Sequence, residues 1–495
     1  MDQTIIMYPS MGISHLIPMV ELAKLLHAHR PSTPITVLVT PHPNSNLITT
    51  YLSHIAATAA ATTLSFHYLP NHSLFTPASS PLNPSLSFDR ARLNIPDLRR
   101  TLAAYSLTSS IKALVIDFFN TAAHEVAAEF GIPTFYYFPI SAAALAATLY
   151  FPTVHRTTTK SLKDMEIDVN IPGLPPVPAD HMPMSMQDRS SQIYNNFLGL
   201  AGQMTKAEGI IINTFDLLEA RTIKAIGDGL CVPGGRTPPL FCVGPLVTEP
   251  EENVGGGDGG GRHGCLSWLD KQPSRSVVFL CFGSMGVFSA RQLREMAIGL
   301  EKSGHRFLWV VRVPPPSSPP PRQDKTSSRM VATNGTTHVT TLDSILPSGF
   351  INRTKDRGLV WDSWVPQVEV LSHESVGGFV SHCGWNSVLE SMWFGLPMIA
   401  WPIFAEQRLN KVFLVEEAKV ALGLDEAEEE EEEEGKGFVG AVELECRVRE
   451  LMEEKRGNGL RERVERMRDG AIEAAREDGS SRAVLDRFFT LLNVG

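Results

Sequence analysis

The feature that most constrains the fold is a repeated alternation between short, continuous apolar runs and helical patterns. In the first half of the chain these runs are bounded by Pro, Gly or polar residues, which is typical of strands buried on both faces of a parallel sheet. In the first helical pattern, Leu16, Met19, Ala23 and Leu26 share one face. The strands are expected at residues 4–10, 35–40, 64–70, 113–119, 133–139, 209–215 and 239–245. The alternation predicts a doubly wound α/β domain.

A second series of the same kind follows a break in composition. Soon after Pro245, from Val247, the chain reads VTEPEENVGGGDGGGRHG, which is Gly-rich, acidic and aperiodic, as linkers are. The later strands are expected at residues 276–284, 307–312, 358–364, 376–382 and 397–402. A chain of 495 residues also exceeds the usual size of a single core. We therefore predict two doubly wound domains, with ligands in a cleft at the carboxyl ends of their strands.

The predicted division of the chain has definite bounds. It comprises an amino-terminal domain (1–244), a linker (245–264), a carboxyl-terminal domain (265–475) and a closing helix (476–495). Residues 314–341 are rich in Pro, Ser and Thr, which indicates a surface insertion. The glutamate run at 425–437 repels itself and is expected to stay solvated.

Composition excludes several classes of protein. A net charge of −10 argues against nucleic acid as a partner, because neutralising phosphates needs a basic surface. The first residues lack the basic and apolar regions of a signal peptide, and no later apolar stretch reaches the roughly 20 residues that span a bilayer. The six cysteines form no C-x-x-C pair, which favours free thiols in a reducing compartment. We expect a cytoplasmic monomer without metal.

The segment 364–407, WVPQVEVLSHESVGGFVSHCGWNSVLESMWFGLPMIAWPIFAEQ, concentrates groups that can hold a nucleotide. Trp364 is expected at a strand end, from which Pro366 forces the chain away. Its indole can stack on a uracil ring, which is worth roughly 1–3 kcal/mol; the alternative for a Trp taken alone is core filler. The backbone of Val365 can hydrogen-bond the ring's edge, and Gln367 can reach a ribose hydroxyl.

The centre of that segment, SHCGWNS, is predicted to be a strand end, a glycine turn at Gly384 and a helix start. A helix amino terminus offers free N–H groups and partial positive charge, so it favours a diphosphate. His382, Asn386 and Ser387 add side-chain donors, and the Glu390 carboxylate suits a ribose diol. Taken alone, Asn386 or Ser387 would be read as a plain helix cap.

Two further sites complete the predicted donor-binding set. Ser284, in the sequence FGSMG, follows a strand and precedes a helix, and the glycines there let backbone approach a phosphate. Glu406 and Gln407 place a carboxylate beside an amide, and this pair can hydrogen-bond neighbouring sugar hydroxyls. The chain has no G-x-S-x-G elbow, no G-x-x-x-x-G-K-[ST] loop and no D-x-D. The missing D-x-D speaks against a metal-dependent sugar transferase.

A candidate base lies between the first strand and the first helix. His15 is expected at the helix start, where the positive end of the dipole disfavours imidazolium and keeps the ring neutral. Asp117 ends the fourth strand, and the ends of strands 1 and 4 are neighbours in a doubly wound sheet. An Asp behind a His fixes its tautomer and stabilises the cation that forms when it takes a proton. Separately, each residue would more often be a structural cap.

With these motifs in place, the whole chain resembles the plant family-1 UDP-sugar glycosyltransferases. The resemblance implies a GT-B architecture, UDP-sugar donors without metal, and small phenolic acceptors. It is strongest for the flavonoid- and chalcone-active branch, around Asp117 and in CLSWLDKQPSRSVVFLCFGS. Gln at the last signature position implies UDP-glucose. The closing helix is expected to pack back on the first domain.

The resemblance also implies roles for individual residues. Uridine would be bound by Trp364, Val365 and Gln367, ribose by Glu390, and diphosphate by Ser284, His382, Gly384, Asn386 and Ser387. The sugar would face Trp385, Glu406 and Gln407. His15 would be the catalytic base with Asp117 as its partner. The acceptor would lie against Phe118, Phe119, Ser141 and Ala405.

Two positions depart from the family's usual pattern. Ser14 stands before the base where Gly is common. Pro139 stands where a Thr often contacts the sugar, and the nearest hydroxyl is that of Ser141. The sequence therefore leaves open transfer to a ring carbon instead of oxygen. A protein that binds a UDP-sugar or a phenol without turnover, and a nicotinamide-dependent oxidoreductase, are the rivals from other classes. The lack of G-x-G-x-x-G after strand 1 weighs against the oxidoreductase.

Overall fold

The chain is organised in two units, each built on its own sheet. The computed structural model describes residues 2–40, 48, 49, 51–53, 55, 64–70, 85–248, 250, 255, 256, 261–312, 342, 344–426 and 437–493. The insertion predicted at 314–341 and most of the glutamate run at 425–437 lie outside the described residues. One unit comprises Met1–Thr248, Phe404–Ala418 and Asp469–Gly495, and the other comprises Glu249–Ile403 and Lys419–Arg468.

The first unit contains a seven-stranded sheet and the helices that connect its strands. Its strands are β1 (Asp2–Tyr8), β2 (Ile35–Val39), β3 (Leu64–Tyr68), β4 (Ser109–Asp117), β5 (Thr134–Phe138), β6 (Gly209–Ile212) and β7 (Leu240–Cys242). Its first helices are α1 (Ile13–His29), α2 (Ser85–Leu93), α3 (Ile95–Thr108), α4 (Ala123–Glu129), α5 (Ala142–Thr157), α6 (Gln192–Met204) and α7 (Asp216–Gly227).

The second unit contains a six-stranded sheet. Its strands are β8 (Val277–Cys281), β9 (Arg306–Val310), β10 (Gly358–Trp361), β11 (Val376–Ser381), β12 (Met398–Ala400) and β13 (Ala421–Gly423). The helices of the rest of the chain are α8 (Gly264–Leu269), α9 (Ala290–Ser303), α10 (Phe350–Thr354), α11 (Gln367–Leu371), α12 (Trp385–Phe394), α13 (Gln407–Val412), α14 (Ala441–Met452), α15 (Glu454–Ala475) and α16 (Ser480–Leu491). Helices α13 and α16 belong to the first unit.

Both main sheets are parallel and doubly wound. The strand order is β3-β2-β1-β4-β5-β6-β7 in the first and β10-β9-β8-β11-β12-β13 in the second. Strands β2, β5, β8 and β11 are buried at every residue, which is why their sequences are continuous apolar runs without alternation. The predicted fold class is confirmed.

The pairing of β1 with β4 positions the residues that matter for chemistry. Tyr8, at the end of β1, lies opposite Ile116, one residue before the end of β4. The loops that leave these two strands therefore begin side by side. Asn120, just after β4, donates its side-chain N–H to the carbonyl of Tyr8 at 2.9 Å, which ties the two loops together.

Two late segments complete the first unit. In residues 404–418, the side chain of Asn410 accepts a hydrogen bond from Ser141 at 2.7 Å. In α16, the ring of Phe488 packs on those of Phe135 and Phe241 at 5.0 and 5.6 Å. A division of the chain into contiguous domains could not anticipate the first of these segments, because it interrupts the sequence of the second unit.

Among the helices that the structure describes, none combines the length and the apolar character that crossing a bilayer would require.

Candidate active site

The predicted base and its partner are in contact in the first unit. His15 lies in the first turn of α1, and its Nδ1 is 2.9 Å from Oδ2 of Asp117, the last residue of β4. Because an ionised carboxylate only accepts hydrogen bonds, Nδ1 carries a proton, and in the neutral ring Nε2 then has a free lone pair. The His15 side chain is 22% exposed whereas Asp117 is fully buried. The pair therefore presents one basic nitrogen to the outside.

Asp117 is held by two further donors. The Ser10 hydroxyl donates to its Oδ1 at 2.6 Å, and the backbone N–H of Phe119 donates to the same oxygen at 3.1 Å. Burying a carboxylate is costly unless hydrogen bonds replace its water, and these three contacts do so. The carboxylate is thus fixed in place before any substrate arrives.

The influences on the pKa of His15 differ from those expected. The helix start was expected to keep its ring neutral. Burial is the largest influence and lowers the pKa of His15, but the charge and hydrogen bond of Asp117 and the charge of Glu406 act against it and together outweigh it. The pKa of His15 is therefore raised above its usual value, because nearby carboxylates count for more than the helix dipole.

Aromatic side chains border the base. Phe118 and Phe119 occupy the turn after β4, and their ring centroids lie 6.0 and 5.3 Å from that of His15. Phe88 and Phe197 pack behind Phe119 at 5.1 and 6.4 Å. Both predicted acceptor-facing phenylalanines are largely buried. The result is an apolar wall with its edge at the imidazole.

Residues 405–407 also belong to the first unit. Glu406 is the residue before α13, and its charge acts on His15, as noted above. Burial raises the pKa of Glu406 itself, partly offset by its own backbone N–H and by His15. The Gln407 side chain is buried and accepts from the N–H of Phe404 at 2.9 Å. Ala405 is exposed with a left-handed φ of 57°, and its carbonyl accepts from the N–H of Met184.

Ser141 is placed differently from the prediction. It was expected to offer a hydroxyl to a substrate, but it is fully buried. Its Oγ accepts from the N–H of Ala144 as the cap of α5 and donates to Asn410 Oδ1. Two backbone N–H groups of the same helix start donate to the buried carboxylate of Glu219. The hydroxyl of Ser141 therefore stabilises the protein's own structure.

In the second unit, the predicted uridine-binding residues follow β10. This strand ends at Trp361, so Trp364 lies in irregular chain three residues later and does not end the strand as expected. Its side chain is 69% exposed, which is unusual for an indole and suits a stacking surface. Val365 is largely buried, and α11 begins two residues later at Gln367.

Gln367, Ser387 and Glu390 form one hydrogen-bonded group. The Gln367 amide donates to Ser387 Oγ at 2.8 Å and to Glu390 Oε2 at 2.6 Å. Burial raises the pKa of Glu390 to about 7, opposed by the Gln367 hydrogen bond, while the charge of Glu369 adds to the rise. The group joins helices α11 and α12.

The start of α12 has the features of an anion site but not all those predicted. Its cap residue Gly384 provides no side-chain acceptor for the first N–H groups, and Asn386 is exposed beside them. Trp385, in contrast, is only 2% exposed, so its indole does not present an open face to a sugar as the resemblance implied. The backbone of Trp385, in contrast to its indole, lies at the start of α12.

His382 explains the glycines on either side of it. A Cβ atom added at Gly283 or Gly384 would lie 2.8 or 2.4 Å from its Nε2, so both turns must lack a side chain to admit the ring. These glycines were expected to admit a phosphate, but here the imidazole fills that space. Burial lowers the pKa of His382 to about 4, opposed by the carbonyl of Cys281, so the ring brings no positive charge. Ser284 is exposed next to it.

Sequence reasoning missed several residues that support these groups. Ser10, Asn120, Phe88, Phe197 and Asn410 were not singled out, because each depends on a partner distant in the chain. Only Ser10 carried a signal, since it follows β1 by two residues and strand ends in such sheets carry function. Within the described residues, no group of three or more His, Cys, Asp and Glu is arranged to hold a metal ion.

Comparisons with known proteins identify the family of the chain. A family model described as "UDP-glucoronosyl and UDP-glucosyl transferase" matches residues 260–431. Anthocyanidin 5,3-O-glucosyltransferase of a Rosa hybrid cultivar is 47% identical over 98% of both chains.

Two solved structures are similar along their whole length. A UDP-glucosyltransferase from Polygonum tinctorium that glucosylates indoxyl has a TM-score of 0.84, 34% identity and coverage of 100% of this chain and 99% of its own. A Phytolacca americana enzyme complexed with UDP-2fluoro-glucose and pterostilbene has a TM-score of 0.81, 34% identity and coverage of 99% and 100%. The protein therefore belongs to the plant UDP-glycosyltransferases and is an enzyme of that family.

Proposed function

We propose that this enzyme transfers glucose from UDP-glucose to a hydroxyl of a phenolic acceptor of the flavonoid type, with inversion at the anomeric carbon. The observation that carries the proposal is the contact between His15 Nδ1 and Asp117 Oδ2, which leaves Nε2 as a base. The Rosa relative is named for glucosyl transfer to an anthocyanidin, and the Phytolacca structure contains a UDP-sugar analogue with pterostilbene. Both names support a phenolic acceptor for this chain.

In the proposed reaction, His15 Nε2 takes the proton of the acceptor hydroxyl while the oxygen attacks the anomeric carbon. The bond between that carbon and the β-phosphate oxygen breaks, and its electron pair leaves with UDP. Asp117 stabilises the imidazolium that forms, as in other His–Asp pairs. Proton transfer of this kind typically contributes about 10²–10⁴-fold to rate.

The donor is proposed to bind at the β10–α11 loop and the start of α12. Trp364 would stack on the base, Gln367 and Glu390 would bind the ribose, and the N-terminal end of α12 would stabilise the diphosphate as negative charge develops on it. Ser284, His382, Asn386 and Ser387 would add donors. This set supplies stabilisation from hydrogen bonds and a helix dipole and does not call for a metal.

The acceptor is proposed to lie on the apolar wall beside His15. The ring edges of Phe118 and Phe119 there suit the flat face of a phenolic ring, because aromatic pairs favour edge-to-face contacts. Glu406 and Gln407 are proposed to contact the sugar, with Ala405 at the acceptor side. A phenol is acidic enough that a His base suffices to deprotonate it during attack.

The proposal is tested by incubating the purified protein with UDP-glucose and a panel of flavonoids, chalcones and simple phenols. Mass spectrometry should show the gain of one hexose together with UDP release, and NMR of the product should show a β-linkage. UDP-galactose and UDP-glucuronic acid serve as matched donors and should react more slowly than UDP-glucose.

The outcomes separate the alternatives. Products that resist acid hydrolysis would indicate transfer to a ring carbon and would correct the acceptor atom. Binding of UDP-glucose and phenols without UDP release would mean a binding protein and would overturn the proposal. Thermal stabilisation of the protein by NAD but not by UDP would also overturn the proposal.

A further inference from the structure

The loop between β10 and α11 contains a peptide group that two side chains orient. The indole Nε1–H of Trp361 donates to the backbone carbonyl of Trp364 at 3.3 Å. Trp361 is the last residue of β10, so this bond anchors the exposed Trp364 to the sheet. Gly264 makes room for the indole, because a Cβ there would lie 2.9 Å from the Trp361 ring.

His263 approaches the same carbonyl from the end of the predicted linker. It caps α8, and its Nδ1 accepts the backbone N–H of Cys265 at 3.4 Å. A ring nitrogen that accepts has no proton, so the proton of the neutral ring is on Nε2. Burial lowers the pKa of His263 and favours that neutral form, while the Trp364 carbonyl acts in the opposite direction, as an acceptor of the ring N–H does.

The rings of this cluster are in contact. His263 lies 5.2 Å from Trp361 and 6.3 Å from Trp364 between ring centroids. A carbonyl oxygen has two lone pairs and can accept from both the indole and the imidazole. The hydrogen bond from Trp361 holds the Trp364 carbonyl toward the indole, and the His263 ring packs beside both tryptophans.

This orientation determines where the next N–H points. The peptide between Trp364 and Val365 is trans, so its N–H points opposite to its carbonyl, away from Trp361 and His263. Among the described residues, no acceptor lies within hydrogen-bond reach of the Val365 N–H. Val365 is only 4% exposed, and a donor in such surroundings without a partner is costly unless a ligand supplies an acceptor.

We propose that Trp361 and His263 are specificity-determining positioning residues, which aim the Val365 N–H at the C4 carbonyl of uracil and so select UDP-sugars over CDP-sugars. Uracil has an acceptor at that position, whereas cytosine has an amino group that can only donate. A second donor facing the Val365 N–H would leave both unpaired, which costs more than a missing contact. The inference rests on the proposed function, because it takes Trp364 as the surface on which the base stacks.

The experiment is calorimetric titration of UDP and of CDP into the full-length protein and its variants. Trp361→Phe keeps the ring and removes only the N–H. His263→Asn keeps an acceptor for the α8 cap but removes the outer N–H, whereas His263→Gln keeps an N–H in the place of Nε2. Trp268→Phe makes the same chemical change as Trp361→Phe, but in α8, and serves as the control.

We expect Trp361→Phe and His263→Asn to raise the Kd for UDP about 3- to 10-fold, with the Kd for CDP nearly unchanged. The KM for UDP-glucose should rise in parallel while kcat at saturating donor stays within about 2-fold, since the chemical step is elsewhere. His263→Gln and Trp268→Phe should keep the wild-type ratio of UDP to CDP affinity.

Two results would overturn the inference. One is an unchanged UDP to CDP ratio in both Trp361→Phe and His263→Asn, including the case in which both affinities fall together. The other is a wild-type protein that binds UDP and CDP equally. A wild-type protein that binds neither nucleotide would instead refute the proposed function itself, so the two failures are distinguishable.

Discussion

The base region of the first unit and the nucleotide region of the second are built in opposite ways. Around Asp117, the structure supplies hydrogen-bond partners from Ser10, His15 and Phe119. In the β10–α11 loop, Trp364 is exposed and the Val365 N–H has no acceptor among the described residues. The start of α12 likewise has no side-chain cap.

The difference reflects what each region has to do. A general base must be oriented and tuned before the substrate arrives, so its partners are provided by the protein. A binding surface gains affinity from groups that are paired only by the ligand, as the Val365 N–H would be, even though the Gln367 amide is already paired with Ser387 and Glu390. Variants of the base region should therefore change kcat and its pH dependence, and those of the nucleotide region should change Kd and KM.

The largest effect is expected for His15→Ala. Without the base, kcat should fall about 10²–10⁴-fold, while the Kd for UDP stays unchanged because His15 is not among the residues proposed to bind UDP. Steady-state kinetics and calorimetry measure the two quantities. His124→Ala, a histidine of α4, is the control and should retain activity. Unchanged turnover in His15→Ala would falsify the role of His15 as the base and remove the contrast between the base region and the nucleotide region.

Asp117→Asn should lower kcat about 10- to 100-fold, because the amide can still hydrogen-bond the ring but does not stabilise its cation. The sign of the pH effect follows from the charge. Asp117 raises the pKa of His15, and His15 must be unprotonated to act, so activity falls below that pKa. Removing the charge lowers the pKa, and the acid limb of the kcat profile should move to lower pH. A limb that stays in place would show that another group titrates there.

Trp364→Ala should weaken UDP binding about 5- to 150-fold, the equivalent of the roughly 1–3 kcal/mol of base stacking. At saturating donor kcat should be nearly unchanged. Trp364→Phe keeps a smaller stacking face, so its Kd for UDP should lie between those of the wild type and Trp364→Ala. Calorimetric titration with UDP measures these Kd values. A loss of kcat at constant Kd would contradict the division of labour between the regions.

Glu390→Gln tests the only pH dependence expected in the nucleotide region. Burial raises the pKa of Glu390 to about 7, and only the carboxylate form accepts from both ribose hydroxyls. The KM for UDP-glucose should therefore fall as pH rises through about 7, whereas in Glu390→Gln it should be higher by about 3- to 10-fold and independent of pH. A variant that keeps the wild-type pH dependence would exclude this carboxylate as its source.

The smallest effect on activity is expected for Ser141→Ala. Its hydroxyl caps α5 and binds Asn410, so its loss should destabilise the protein by about 1 kcal/mol and lower Tm without changing KM for the donor. Ser141→Thr keeps the hydroxyl and is the matched control. A raised KM with unchanged Tm would show that the hydroxyl contacts the sugar after all.

The fold could be predicted almost completely from the sequence. Parallel strands buried on both faces must be continuous apolar runs, and the loops between them must contain Gly, Pro and polar residues. The positions of strands and loops can therefore be recognised from short stretches of sequence. The assignment of residues 404–418 to the first unit could not be predicted, because it depends on contacts such as Ser141 with Asn410 that join distant parts of the chain.

The candidate site was predicted in part. His15 and Asp117 could be paired because the strand order of a doubly wound sheet brings the ends of β1 and β4 together, whatever the intervening sequence. Trp385 and Ser141 were placed wrongly, because whether a side chain faces outward or inward depends on packing from residues that are remote in sequence. For the same reason, the glycines around His382 were attributed to a phosphate and not to the imidazole.

The sequence by itself determined the two sheets, the family and the residue types of the base and nucleotide regions, since these follow from local periodicity and from motifs within short segments. Only the tertiary structure decided the direction in which the pKa of His15 is shifted and the orientation of the Val365 N–H. Both depend on which groups are brought within a few ångströms, as Asp117 and Glu406 are for the imidazole and Trp361 and His263 for the peptide. Electrostatic and hydrogen-bond energies fall steeply with distance, so they are fixed by the folded arrangement and not by the order of residues along the chain.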